Sequence, residues 1–254
     1  MSAADHFGAI VHHALALLRG PEVPDPFAVF LAPEALALNQ ARQAHLASLG
    51  IALEGKRVLE VGAGIGLHTP FFLERGCEVV ISDANGGNLT EIRRRFPRLR
   101  VEHIDLAQPL DLQPLGTFDL VYCYGLLYHL GDPDAALRAL APVCGGQLLL
   151  ETMVALGRHA EVYRVRDPAG ANQAVAGLGC RPTRLWVLQA LRAHFGHGYV
   201  TRLQPDFPDF ETDWDLPETR YSYRAVFVGS KAPIDSAELL EDLPAQQPKH
   251  RAST

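Results

Sequence analysis

The sequence predicts a doubly wound α/β protein with a mostly parallel, Rossmann-like sheet, and two observations indicate this. Short continuous apolar runs alternate with helical segments between residues 56 and 152, which is typical of parallel strands covered by helices on both faces. A glycine-rich turn, Gly62–Gly66, joins the first apolar run to the next helix, at the point where such folds approach ligands closely. The predicted strands are Arg57–Val61, Glu78–Ser82, Leu99–Ile104, Phe118–Tyr122 and Gln147–Thr152.

Other elements frame this sheet. Pro33 at a first helical position and Gly50 at a helix end predict a helix over 33–49, which with a helix over 1–20 forms an N-terminal helical extension, residues 1–55. A further helix is predicted after the glycine turn and ends near Arg75. Three more are predicted over Gly86–Phe96, Asp132–Val143 and Pro182–Phe195.

The main domain is expected over residues 56–230. Residues 153–181 read as a long connection, and 153–219 as an acceptor-pocket insertion with lid elements. Strands at Tyr199–Leu203 and Tyr221–Val228 predict a C-terminal antiparallel pair, and the polar residues 231–254 a flexible tail.

Composition excludes several classes of protein. The 254 residues carry a net charge of −6 and 48% hydrophobic residues, which disfavours a disordered chain and a nucleic-acid-binding protein. No stretch approaches the roughly 20 apolar residues that span a membrane. The four cysteines form no CxxC pair, so we expect buried reduced thiols in a cytoplasmic protein rather than a zinc or disulfide site.

The glycine turn leaves two cofactor classes to compare. A dinucleotide fingerprint requires G-x-G-x-x-G, but here the third glycine comes one position early and Leu67 follows it. Glu60, just before the turn, would oppose a pyrophosphate but suits a ligand with an ammonium group. Charge complementarity therefore favours S-adenosylmethionine over NAD(P).

These motifs resemble, in order over residues 57–152, those of the class I S-adenosylmethionine-dependent methyltransferases. Asp83 ends the second strand where that family holds the ribose, and Asp105 follows the third where it contacts adenine. Phe118–Val121 resembles the fourth strand of the family, and the late strand pair resembles its closing hairpin. The cofactor site expected from this resemblance and its neighbours comprises Glu60, Gly62, Gly64, Gly66, His68, Asp83, Asp105, Leu106 and Tyr124.

Two residues at strand ends are candidates for catalysis. His129 follows the fourth strand and could act as a base near neutral pH. Glu151 ends the fifth strand, where a carboxylate should face an opening because burial is costly. The two could form a base and its orienting partner, or ligate a divalent cation such as Mg²⁺. Alternatively, His129 contacts the cofactor or packs on the helix, and Glu151 caps a neighbouring backbone or pairs with an arginine.

The acceptor pocket is expected around the insertion. Arg181 and Arg184 could bind an anionic group of the substrate, and the insertion could add further contacts. The candidate substrate residues are Tyr128, Tyr163, Asn172, Arg181 and Arg184. The acidic, aromatic segment 206–218 reads as a solvated loop, although a lid or a contact between two copies would also fit its aromatic content. The arginine-rich segment 93–100 reads as a solvated face.

The sequence thus predicts an S-adenosylmethionine-dependent methyltransferase that methylates a hydroxyl of a small polar molecule such as a sugar or glycoside. No membrane or nucleic-acid partner is expected, and a homodimer stays open. The Leu-Tyr-His and Leu-Glu-Thr elements at 127–129 and 150–152 also resemble bacterial enzymes that carboxymethylate the wobble uridine of tRNA. Two more functional classes stay open, namely an NAD(P)-binding oxidoreductase and a non-catalytic cofactor-binding protein.

Overall fold

A computed structural model describes residues 25–167, 177–217 and 222–250. Its strands are β1 (Arg57–Val61), β2 (Glu78–Asp83), β3 (Arg100–His103), β4 (Phe118–Tyr124), β5 (Cys144–Ala155), β6 (Val162–Arg166), β7 (Leu178–Pro182), β8 (His197–Thr201), β9 (Ser222–Ser230) and β10 (Leu239–Leu240). Its α-helices are α1 (Ala28–Leu31), α2 (Pro33–Ser48), α3 (Thr69–Leu73), α4 (Gly86–Arg95), α5 (Pro133–Leu140) and α6 (Arg184–Phe195). The helix predicted over 1–20 and the candidate Asn172 lie outside the described residues.

An eight-stranded sheet forms the centre of the protein, in the order β10-β8-β9-β5-β4-β1-β2-β3. Strands β1 to β5 are mutually parallel, whereas β9 runs antiparallel to both β5 and β8. The doubly wound class and its antiparallel strand near the C-terminus are therefore confirmed.

Local sequence signals fix the helix ends. The side chain of Asn85 accepts hydrogen bonds from the backbone N–H groups of Gly87 and Asn88 at the start of α4. Asp132 caps α5 and Thr183 caps α6 in the same way. Gly196, with φ +95°, ends α6 in a conformation that favours glycine.

Two apolar clusters cover the two faces of the sheet, because successive side chains along each strand point to opposite faces. In β4, Leu120 and Tyr122 face the cluster that includes residues of α2, α3 and α4. Val121 and Cys123 face the opposite cluster, with residues of α5 and α6. All four cysteines are buried and free, as predicted. None of the described helices is long and apolar enough to cross a membrane.

The insertion and the C-terminal segment differ from the prediction. The expected connection over 153–181 contains the end of β5 and most of the antiparallel pair β6–β7. The weak apolar pattern of this segment did not predict the pair, because backbone hydrogen bonds hold it together. The predicted flexible tail is wrong over residues 231–250. There, β10 pairs with β8, and fully buried Gln247 bonds to the backbone carbonyl of Thr201.

Candidate active site

A cavity of about 230 Å³ opens at the carboxyl ends of β1, β2 and β4. Ligands of doubly wound folds bind at this edge. Seven of the predicted cofactor residues line it, namely Gly62, Gly64, His68, Asp83, Asp105, Leu106 and Tyr124. Tyr128 and His129, predicted for the substrate and for catalysis, line it as well.

The glycine turn forms the floor of this cavity. Gly62 and Gly64 have φ of +65° and +61°, which disfavours any other residue. A Cβ on Gly64 would lie 2.7 Å from the ring of Phe30, and one on Gly62 would lie 2.9 Å from Leu126. The backbone N–H of Gly64 donates to Oδ2 of Asp83 at 2.8 Å, which ties the turn to the end of β2.

The cavity wall fits the adenosine part of S-adenosylmethionine. Asp83 and Asp105 supply carboxylate acceptors, and Leu106 adds apolar surface. The hydroxyl oxygen of Tyr124 is buried without a hydrogen-bond partner among the described residues, so a bound ligand could satisfy it. These features are those expected of a nucleoside site.

Glu60 and Gly66 lie beneath the cavity rather than on its wall, which corrects their prediction as direct cofactor contacts. Glu60 is 1% exposed, and its Oε2 accepts a hydrogen bond of 2.7 Å from the hydroxyl of Thr69. Burial raises the pKa of Glu60 to about 7. Gly66, with φ +73°, makes the final bend of the turn against Phe96.

His68 links the cavity to the N-terminal helix. Its Nε2 lies 2.9 Å from Oδ1 of Asn39, and its Nδ1 lies 2.9 Å from the hydroxyl of Tyr122. Burial, and secondarily the charge of Arg42, lowers the pKa of His68 to about 3. This imidazole is therefore neutral and serves as a polar wall.

Sequence reasoning missed the contribution of the N-terminal helices to the site. Phe30 of α1, together with Asn39 and Arg42 of α2, lines the cavity. The guanidinium of Arg42 lies 3.3 Å from the position that a Cβ on Gly125 would occupy. No sequence motif in these helices predicts that they line the cavity, because their side chains reach it only when α2 packs on the sheet.

His129 pairs with Asp167 rather than with Glu151. Nδ1 of His129 makes a hydrogen bond to Oδ2 of Asp167, which follows β6 in the insertion. The two side chains are 11% and 7% exposed. With Nδ1 facing a carboxylate, Nε2 is the nitrogen able to accept a proton.

Burial lowers the pKa of His129 below its ordinary value, and Asp167 opposes this effect. Arg181 and Arg224 lower this pKa further. The imidazole is therefore mostly neutral at pH 7, the state that a general base requires.

Glu151 forms a buried ion-pair cluster behind the cavity wall, so its predicted roles as partner of His129 and as metal ligand are not supported. Its Oε2 lies 2.5 Å from Arg42 and its Oε1 lies 3.0 Å from Arg224. Burial alone would raise the pKa of Glu151, but the two guanidinium groups outweigh it and hold the pKa below the ordinary value. The alternative that Glu151 pairs with arginine is the arrangement found.

The structure gives no support to the Mg²⁺ alternative. In residues 25–167, 177–217 and 222–250, no group of three or more His, Cys, Asp or Glu side chains could hold a metal ion. Both oxygens of Glu151 are already occupied by guanidinium groups, and His129 is directed to a different carboxylate.

The predicted substrate residues are dispersed. Arg181 lies on β7 and donates to the backbone carbonyl of Tyr128 at 3.3 Å, beside the cavity but not on its lining. Tyr163 lies opposite Arg181 in the β6–β7 pair and contacts His159. Arg184 lines a different cavity, so its prediction as part of the acceptor pocket at this site is wrong.

The acidic segment is described over residues 206–217, and its aromatic side chains are more buried than those of a solvated loop. Phe210 is 1% exposed and Trp214 is 9% exposed. Asp209 reaches Arg224 at 3.3 Å, so the segment also supports the cavity wall.

Comparison with known proteins agrees with this geometry. A family described as "Methyltransferase domain" matches residues 59–145. A tRNA U34 carboxymethyltransferase of Pseudomonas putida (strain W619) is 30% identical over 200 residues, which cover 76% of this chain and 60% of that protein. The same enzyme of Dichelobacter nodosus is 36% identical over 125 residues, 47% of this chain and 39% of that protein. The chain thus spans about two to three fifths of the length of these curated relatives.

Solved structures share the fold. The N-terminal domain of EvdMO1 with SAH bound has a TM-score of 0.59 at 22% identity, covering 76% of this chain and 80% of that one. Magnesium protoporphyrin IX methyltransferase of Synechocystis PCC 6803 with bound SAH has a TM-score of 0.51 at 17% identity, covering 90% and 97%. At these identities the likeness concerns the fold.

The fold, the glycine turn and the two aspartates thus define a methyltransferase domain of the S-adenosylmethionine-dependent kind. A methyltransferase domain is matched over residues 59–145, and the fold of the chain is that of solved S-adenosylmethionine-dependent methyltransferases.

Proposed function

We propose that the protein transfers a methyl group from S-adenosylmethionine to a hydroxyl group of a small polar molecule. The observation that carries the proposal is the pair of His129 and Asp167 at the cavity wall. When bound, S-adenosylmethionine supplies an electrophilic methyl group. An alcohol acceptor must lose its proton, so a neutral, oriented imidazole suits this acceptor better than it suits an amine.

The residues of the cavity divide the work in this proposal. Asp83 would hold the ribose hydroxyls and Asp105 the adenine, while Asp167 keeps Nε2 of His129 available. His129 would take the proton of the acceptor hydroxyl. The net charge of −6 favours a small molecule over a polyanion.

A second candidate is carboxymethyl transfer, the activity for which the relatives are named. Two guanidinium groups on the cavity lining favour it. Arg42 and Arg224 both line the cavity and share the carboxylate of Glu151, and Arg224 also pairs with Asp209, which is 44% exposed. Nη2 of Arg224 also lies 3.5 Å from the hydroxyl of Tyr128. A transferred group bearing a carboxylate would meet this charge favourably.

The experiment is transfer from S-adenosylmethionine labelled in its methyl group into a bacterial extract, fractionated afterwards into small molecules, protein and RNA. We expect label in the small-molecule fraction, lost in His129→Gln. His194→Gln is the matched control, since His194 pairs with Asp134 at 2.7 Å outside the cavity lining. Label in RNA would overturn the proposed acceptor.

Carboxymethyl transfer is tested with a donor that carries a carboxymethyl group on sulfur. The mass of the product distinguishes the two groups. Carboxymethylated product in preference to methylated product would overturn methyl transfer and establish the second candidate.

A further inference from the structure

A second cavity, of about 240 Å³, lies beside the start of α6. It shares no lining residue with the cavity described above. Its walls combine the indole of Trp214 with aliphatic side chains, including Leu185 and Leu243. The proposed methyl transfer uses none of these residues.

Arg184 is the buried cation of this cavity. The residue is 5% exposed, and its guanidinium carbon lies 4.0 Å from the centre of the Trp214 ring. Its Nη1 donates to the backbone carbonyl of Pro244 at 3.2 Å and its Nη2 to Oε1 of Gln247 at 3.3 Å, so both acceptors are neutral and distant. Its Nε has no hydrogen-bond partner among the described residues.

Arg184 differs from two other buried arginines in its ion pairing. Arg42 and Arg224 are similarly buried, and both are paired with Glu151. Arg184 forms no ion pair with any described residue. Burial lowers the pKa of Arg184 to about 9, and no nearby carboxylate opposes this effect. The group nevertheless keeps its charge at neutral pH, and a buried cation without a counter-ion is costly.

The surroundings leave this charge uncompensated. Asp215, the carboxylate on the cavity lining, is paired at 2.7 Å with exposed Arg158, so the two neutralise each other. Arg184 is also the first residue of a 12-residue helix, whose N-terminal dipole adds positive potential. The apolar walls beside a single cation without an ion pair fit a monoanion with an apolar body better than a multiply charged phosphate.

We propose that this second cavity binds a small organic carboxylate, with the carboxylate against the guanidinium of Arg184 and the apolar body against Trp214. The site is separate from the cofactor cavity and does not depend on the proposed acceptor. Trp214 is held for this role, since its indole N–H donates to Oε1 of Gln247 at 3.1 Å.

The test uses benzoate as the probe, measured by calorimetry and by the rise in Tm of the full chain saturated with S-adenosylhomocysteine, which occupies the cofactor part of the first cavity. We expect saturable binding and a rise of several degrees, with no effect from benzamide, the neutral analogue of the same shape. Arg184→Met should lose the binding. Arg94→Met is the control that should retain it, because Arg94 is exposed and lies on the lining of neither cavity.

A second variant guards against loss of folding in Arg184→Met. Ala245→Leu keeps Arg184 but narrows the cavity from its exposed side, and it should weaken benzoate binding at least tenfold while leaving cofactor binding unchanged. Absence of benzoate binding to the wild type, equal binding of benzamide, or retained binding in folded Arg184→Met would each overturn the proposal.

Discussion

Asp167 makes a hydrogen bond to Nδ1 of His129, although the two residues belong to different parts of the fold. His129 lies in the turn after β4 of the central sheet, whereas Asp167 lies at the end of β6 in the inserted pair of strands. The backbone N–H of Asp167 donates to the carbonyl of Gly177 at 3.1 Å, so the insertion holds the carboxylate in place. The insertion thus supplies the carboxylate of the proposed catalytic pair, which the sheet alone could not provide.

This relationship predicts the effect of substitutions on turnover. His129→Gln should lower kcat by about 10²–10⁴-fold, because a positioned base contributes that much. Asp167→Asn should lower kcat by at least about tenfold, since an amide no longer enforces the tautomer with a free Nε2. Steady-state kinetics and cofactor titration measure both effects. Unchanged kcat in either variant, with cofactor affinity intact, would contradict the role of the pair.

The pH dependence of kcat provides a separate check. Because burial lowers the pKa of His129, the acidic limb should have its midpoint below the ordinary value for histidine. Asp167 raises this pKa and Arg181 lowers it. Asp167→Asn should therefore move the midpoint to lower pH, and Arg181→Met should move it to higher pH. Shifts in the same direction would show that another group controls the limb.

The cluster of Arg42, Glu151 and Arg224 predicts a large effect on stability. Glu151→Gln leaves buried Arg42 without a counter-ion and leaves Arg224 with the partly exposed Asp209 alone, so it should lower the free energy of unfolding by about 3–5 kcal/mol. Urea denaturation measures it. Glu91→Gln is the control, because its pair with Arg94 is at the surface and should contribute little. Equal stability of the two variants would contradict a structural role for the cluster.

The sequence predicts the cofactor side of the site because its signals are local. The turn at Gly62–Gly66 requires glycine at alternate positions, and Asp83 stands where a strand ends. Each of these roles is decided by neighbours in the chain. For the same reason the strands from β1 to β5 were located within a few residues, since continuous apolar runs reveal buried strands.

The hydrogen-bond partner of His129 could not be predicted because it depends on contacts distant in the chain. Glu151 ends an apolar strand, so burial cost suggested an opening there, but Arg42 and Arg224 lie 109 and 73 residues away and neutralise it. Asp167 stands in a segment of weak periodicity. Gln247 lies in a polar stretch that predicts a flexible tail. Its side-chain amide is nevertheless buried and accepts hydrogen bonds from Gln204 and Trp214 in place of water. Pairing between distant polar groups leaves no periodic signal.

Glu60 predicts an unusual dependence of stability on pH. Its pKa is about 7 in the folded protein and 4.5 as an ordinary carboxyl group, because burial disfavours the charged form. The protonated form therefore stabilises the fold: this contribution is fully present below pH 4.5, decreases as the pH rises, and is lost above about pH 7. The loss should be about 3 kcal/mol, from the difference between the two pKa values.

Glu60→Gln isolates this effect, since the amide is neutral at every pH and can still accept a hydrogen bond from Thr69. In urea titrations without cofactor, the free energy of unfolding of the variant should increase relative to that of the wild type between pH 5 and pH 7.5. Thr69→Val removes a hydrogen bond that lowers the pKa of Glu60, so it should move the transition to higher pH. A difference that stays constant with pH would mean that Glu60 is ionised in the fold, and that the buried carboxylate is stabilised by something other than Thr69.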